Sequence, residues 1–61
     1  MIDIGDKIKR TRLKLGLTQE ELAARTELSK GFISQLERNL TSPSIATLID
    51  ILEALGTDIA D

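Results

Sequence analysis

Two helix starts in close succession, at Thr18 and at Ser29, constrain the fold of this chain more than any other feature of its sequence. The stretch 17–22 reads LTQEEL, the pattern of a capping box in which Thr18 caps a helix and Glu21 bonds back to the cap. Ser29 stands at the head of a second apolar segment and is a favoured N-cap residue. The helix between the two starts has room for only about two turns. The sequence therefore predicts two short helices joined by a tight turn.

A further helix is predicted before this pair. Ile4, Ile8 and Leu15 recur at a spacing that places them on one inward face, and the helix is expected to run from about Asp6 to Leu15. Gly16 supplies the residue that ends it.

The second helix of the pair is predicted over 30–38, with Ile33 and Leu36 facing inward and Asn39 ending it in a left-handed conformation. A fourth helix is predicted from Ser44, or from the serine at position 42 with a proline in its first turn, to the glycine at position 56. Residues 57–59 resemble a fifth start. The predicted fold is all-α, a compact bundle of four to five short helices in one domain, 1–61.

Composition excludes several classes of function. The 61 residues include no Cys and no His, so disulfides and Cys/His metal sites are excluded and no cofactor is expected. A chain of this size has little room for a substrate pocket, and without His or Cys it carries no recognisable catalytic set, so we expect no enzyme. Neither a transmembrane span nor a secretory signal is present in the pattern.

The charges of this chain are distributed unevenly. The net charge is −2, yet all eight basic residues lie within 1–38, against six acidic ones, whereas 39–61 has four acidic residues and no basic one. Five of the cations lie within residues 7–14. A solvated helix face explains such a run, and so does a one-sided electrostatic surface for a polyanion.

Two short helices joined by a turn form a helix-turn-helix, in which the first helix braces the second so that its outer face can enter the DNA major groove. The segments TQEELA, ISQLER and PSIATL, together with ALG near the end, resemble the phage-repressor type of this domain. This is the lambda repressor and Cro family, also called the xenobiotic-response-element family, of bacterial regulators. The stretch 28–48 is also similar to the N-terminal domains of regulators that carry a cupin-type sensor, so the chain is expected to be the N-terminal part of a longer protein.

The resemblance implies sequence-specific binding of double-stranded DNA as a transcription regulator, with helix 30–38 as the recognition helix. It also implies a homodimer, in the full-length protein or on a two-fold operator, acting in the cytoplasm of a bacterium or on behalf of a phage. The alternative is a helical protein-interaction module that keeps the fold without binding DNA. Such a module would have apolar residues on the outer face of helix 30–38.

Candidate contact residues follow from the helix face opposite Ile33 and Leu36 and from the resemblance. The expected base contacts are Lys30, Gly31, Ser34 and Gln35. The expected contacts to the DNA backbone are Thr18, Gln19, Ser29, Arg38 and Arg10.

Arg12 and Glu37 fall on otherwise inward-facing stripes of their helices, four residues after Ile8 and Ile33 respectively. We predict that they form a partly buried ion pair that fixes the recognition helix against the first helix. The resemblance implies the same pairing.

Three residues depart from the pattern of the family. Glu27 stands in the turn, and Asn39 after the recognition helix, where Gly is usual, and Gly31 stands where a side chain is more common. A left-handed Glu27 would cost on the order of 1 kcal/mol. Gly31 is explained either by neutral drift or by a close approach of the helix to the bases.

Overall fold

The computed structural model describes residues 3–56, and this part of the chain folds into four α-helices without strands. The helices are α1 (Ile4–Lys14), α2 (Gln19–Thr26), α3 (Lys30–Glu37) and α4 (Ile45–Ala54). The all-α prediction is confirmed. The predicted fifth start at 57–59 lies outside the described residues. None of the helices within 3–56 has both the length and the apolar character that a membrane span requires.

Each helix begins at a side-chain cap. Thr18 accepts a hydrogen bond from the Glu21 amide, and the Glu21 carboxylate accepts one from the Thr18 amide, so the predicted capping box is confirmed. Ser29 caps α3 through the amide of Phe32. Ser44, not the serine two positions earlier, caps α4.

The start of α1 was predicted two residues too late. Asp3 is its N-cap and accepts a hydrogen bond from the amide of Asp6, so the helix begins at Ile4 and includes Gly5. Gly is a poor helix former, and its presence here has a tertiary cause that is described below.

Left-handed residues end the helices. Gly16 and Gly56 have φ of 73° and 71°, while Glu27 and Asn39 adopt φ of 57° and 58°. The strained Glu27 predicted from the sequence is therefore present. At the end of α3, the amide of Leu40 donates to the carbonyl of Gln35 (2.9 Å) and the amide of Asn39 to that of Leu36 (3.1 Å), which is the Schellman arrangement.

The core is aliphatic. Its buried members come from all four helices and the turn after α1: Ile8, Leu17, Leu22, Ala23, Ile33, Leu36, Ile51 and Leu55. Phe32 packs against this cluster while staying partly exposed.

The inward placement predicted for Leu15 is wrong, because α1 ends at Lys14 and Leu15 is 52% exposed. The left-handed turn at Gly16 brings Leu17 into the core in its place. Ile4, predicted on the same face, is 38% exposed.

Contacts with two neighbouring helices fix the position of α3. It contacts both α1 and α2, and α4 packs against α2. Ile33 and Leu36 hold α3 in the core with 0% and 2% exposure. As a result, one side of α3 packs against the core and its other side faces solvent.

Candidate nucleic-acid interface

The outward side of α3 is polar and accessible. Lys30, Gly31, Gln35 and Arg38 are exposed and Ser34 is half-buried. The structure thus brings the four sequence-predicted base contacts together on one face, with Arg38 at its end. The apolar outer face expected of a protein-interaction module is not what this helix presents.

Gly31 is not required by the fold. A Cβ atom built on it would meet nothing within 4 Å, and its φ lies outside the left-handed region. The helix would therefore accept a side chain at this position without strain, and the lack of one leaves a gap in the exposed face.

Thr18 and Ser29, two of the residues predicted to contact the DNA backbone, already cap helices. Their hydroxyl oxygens accept backbone N–H groups, which leaves each O–H free to donate to an external acceptor such as a phosphate oxygen.

Gln19, a third such residue, is tied to α3. Its amide Nε2 donates to Glu37 Oε1 at 3.0 Å, and the side chain is half-buried. Sequence reasoning placed Gln19 at the surface and missed this bond, because nothing in the spacing of the two residues indicates that they meet.

Two predicted DNA contacts, one on α1 and one on α3, form exposed ion pairs. Arg10 Nε lies 2.8 Å from Asp6 Oδ2, with the two side chains 80% and 45% exposed. Lys30 Nζ lies 4.0 Å from Glu20 Oε1. Exposed pairs of this kind contribute at most about 1 kcal/mol, so a phosphate or a base can replace the carboxylate at little cost.

The predicted ion pair of Arg12 and Glu37 is present and buried. Arg12 Nε and Nη2 donate to the two carboxylate oxygens of Glu37 at 2.6 and 3.0 Å, and Nη1 donates to the carbonyl of Leu17 at 2.8 Å. Each residue is 6% exposed. No buried side-chain N or O atom of residues 3–56 lacks a partner, so the pair meets the condition under which a buried salt bridge is tolerated.

The charges of this pair reinforce each other. Burial alone would raise the pKa of Glu37, but hydrogen bonds from Arg12 and Gln19 and the charge of Arg12 outweigh burial and lower that pKa. The hydrogen bond to Glu37 raises the pKa of Arg12 in turn. Both groups are therefore charged at neutral pH.

A second link between α1 and α3, which we call the Asn39 clasp, consists of Asp3, Gly5 and Asn39. Asn39 Oδ1 accepts the amide of Gly5 at 3.2 Å, and Asn39 Nδ2 donates to Asp3 Oδ1 at 2.7 Å. The pKa of Asp3 is lowered, first by the Asp6 amide and then by Asn39. Sequence reasoning read Asn39 only as a helix end and gave no role to Asp3 or Gly5.

Comparison with known proteins gives a consistent set of relatives. A family model described as helix-turn-helix matches residues 8–61. An uncharacterized HTH-type transcriptional regulator of Sinorhizobium fredii, y4dJ, is 42% identical over 53 residues, which are 87% of this chain and 69% of that protein. The immunity repressor protein of Bacillus phage phi105 is 35% identical over 93% of this chain, and the chain spans 40% of its length. SinR of Bacillus subtilis is 37% identical over 92% of the chain, which spans 51% of that regulator.

Solved structures show the same architecture. The restriction-modification controller protein C.Esp1396I superimposes with a TM-score of 0.88 at 34% identity, covering 95% of this chain and 76% of that one. A variant of the same controller protein, bound to its highest-affinity operator site, matches with a TM-score of 0.87 at 36% identity, again covering 95% and 76%.

Proposed function

Because this chain belongs to the helix-turn-helix family, we propose that it binds a specific sequence of double-stranded DNA as the DNA-binding domain of a transcription regulator. The role is one of binding and not of catalysis. Since its target is DNA, we propose that it acts in the bacterial cytoplasm.

The observation that carries the proposal is the polar outer side of α3 on a helix that is fixed from behind. Ile33 and Leu36 are buried in the core, and Glu37 is tied to Arg12. A helix held in this way can enter the major groove, which is about 12 Å wide, as one rigid unit. The operator-bound relative has the same fold, which supports this use of the helix.

We assign base reading to Lys30, Gly31, Ser34 and Gln35. The amide of Gln35 can pair with adenine through two hydrogen bonds, and Lys30 can donate to O6 and N7 of guanine. Ser34 is short and half-buried, so it reaches only a group that comes close. Gly31 permits that close approach because no side chain stands between the helix and the bases.

We assign the DNA backbone to Thr18, Gln19, Ser29, Arg38 and Arg10. The first three lie at the starts of α2 and α3, where hydroxyl, amide and free backbone N–H groups are available to phosphate oxygens. Arg38 and Arg10 are exposed cations that add attraction without reading sequence.

A homodimer on a two-fold operator is the expected binding mode. Two copies would place their recognition helices in successive major grooves about 34 Å apart. A duplex with two half-sites at that spacing should therefore be bound more tightly than a duplex with one.

Selection of bound duplexes from a random pool tests the function. We expect enrichment of one short motif, and of its inverted repeat at a fixed spacing. Affinity for the selected duplex should fall as salt rises, because phosphate contacts release counterions. If no motif is enriched and binding is indifferent to salt, the protein-interaction module is the better explanation.

A further inference from the structure

The Asn39 clasp holds the C-terminal end of α3 against the N-terminal end of α1. We propose that the clasp sets the angle at which α3 is presented to DNA, and that Asn39 is thereby a positioning residue for the choice of operator. This inference rests on the proposed function and concerns a side chain to which that function assigns no contact with DNA.

α1 is bonded to the end of α3 at two separate places. Arg12 forms the ion pair with Glu37, and the amide of Gly5 donates a hydrogen bond to Asn39 Oδ1. Gly5 and Arg12 lie seven residues apart on α1, which is about 10 Å along a helix axis. Two attachments at this distance on α1 restrain the angle between α1 and α3 more than either does alone, and they add to the core packing of Ile33 and Leu36.

The contact at Gly5 leaves no room for adjustment. Gly5 is buried, and a Cβ atom on it would clash with the carbonyl oxygen of Leu36 and lie 2.8 Å from that of Glu37. The backbone of α1 therefore lies directly on the last carbonyl groups of α3. The free amides at the start of α1 need acceptors, and the Asn39 and Asp3 side chains provide them.

Asn39 also connects the clasp to a proposed base reader. Its left-handed conformation closes the turn in which Leu40 N–H donates to the carbonyl of Gln35 and Asn39 N–H to that of Leu36. A displacement of Asn39 relative to α1 would therefore move the turn of α3 that carries Gln35.

The variant Asn39→Gly removes the clasp without altering the end of the helix. Glycine adopts the left-handed conformation at least as readily as Asn, so the helix end is kept and only the side-chain bonds to Gly5 and Asp3 are lost. Ser44→Ala is the matched control, because it removes the side-chain cap of α4, which destabilises the domain to a similar degree, and leaves the bonds of α3 intact.

The first measurement needs no DNA. Hydrogen exchange is followed at the amides of Gly5, Leu36 and Glu37, at a temperature where both variants remain folded. We expect the Gly5 amide to lose its protection from exchange in Asn39→Gly. The protection of the Leu36 and Glu37 amides, in the last turn of α3, should fall by about tenfold more than in the control, in line with one lost hydrogen bond. Equal protection in the two variants would overturn the clasp.

The second measurement compares the selected duplex with a scrambled duplex of the same length. We expect Asn39→Gly to weaken binding to the selected duplex by about three- to tenfold, a loss comparable to that of one hydrogen bond, because the helix is tilted but no contact with DNA is removed. Binding to the scrambled duplex should be unchanged. Equal losses on both duplexes, or no loss, would refute a positioning role. If the unaltered protein prefers no duplex, the proposed function fails, while hydrogen exchange still decides whether the clasp holds α3.

Discussion

At the scale of single residues, the buried pair of Arg12 and Glu37 is the interaction whose loss should cost most. Replacing one partner leaves the other charge buried, so Arg12→Met or Glu37→Leu should lower the free energy of unfolding by about 3–5 kcal/mol. The double variant leaves no buried charge and should lose clearly less than the sum of the two. Denaturant unfolding of all three variants measures this, and strictly additive losses would contradict a direct interaction.

Gln35 and Arg38 are both exposed, yet their substitution should have different effects on DNA binding. Gln35→Ala should weaken binding to the preferred duplex by about 1–3 kcal/mol and relax the preference at one base position. Arg38→Ala should weaken all duplexes about equally, because a phosphate contact reads no sequence. Binding to a library with each operator position randomised separates the two. A uniform loss with Gln35→Ala would show that it is not a base reader.

Residue-level reasoning from the sequence found the Arg12–Glu37 pair because a charge on an apolar stripe is out of place. It missed the bond from Gln19 to Glu37 and the Asn39 clasp. Each depends on an uncharged side-chain amide, that of Gln19 or of Asn39, which is equally compatible with a solvent-exposed position, so the sequence carries no signal of conflict. Both bonds depend on how α1, α2 and α3 pack against one another.

At the scale of helices, α3 contains a Gly that its fold does not need. Gly31→Ala should stabilise the domain by up to about 1 kcal/mol, which raises Tm by about 4–8 °C in a domain of this size. If the gap in the exposed face serves close approach to the bases, the same variant should bind the selected duplex less tightly. Melting curves and binding to selected and scrambled duplexes test this. A higher Tm with unchanged binding would favour neutral drift.

The helix bounds could be predicted well wherever a local signal marks them. Thr18, Ser29 and Ser44 are caps in the sequence and in the structure. The start of α1 was missed because Gly5 disfavours a helix locally, whereas its close approach to α3 requires the absence of a Cβ. At this helix start two local signals conflict, since Asp3 is a favoured cap residue and Gly5 a poor helix former, and tertiary packing explains why Gly5 is present.

At the scale of the whole molecule, acid should unfold the domain over a defined range. The pKa values of Asp3, Glu21 and Glu37 are all lowered in the folded state, so the unfolded chain binds protons more readily than the folded one. Stability from these groups is complete above the ordinary carboxyl pKa of about 4 and is lost as pH falls through the lowered values.

We therefore expect Tm to be nearly constant from about pH 7 to 5 and to drop below about pH 4. Thermal melts across that range at constant ionic strength measure the effect. Lys7→Gln, which alters an exposed residue of α1, serves as a control and should show the same profile. A Tm that stays constant down to about pH 3 would contradict the pKa directions.

We expect the division between local caps and distant side-chain bonds to govern the order in which the structure forms and comes apart. The caps join residues three positions apart, whereas the bonds of Glu37 and Asn39 to α1 span 25 to 36 positions. Contacts between residues distant in the sequence carry a larger loop-closure cost than local ones, so we expect the caps to form before the bonds to α1. Thr18→Ala should therefore slow refolding, whereas Arg12→Met should mainly speed unfolding, as stopped-flow kinetics would show. The docking of α1 would then set how long a folded molecule survives before it opens to a protease.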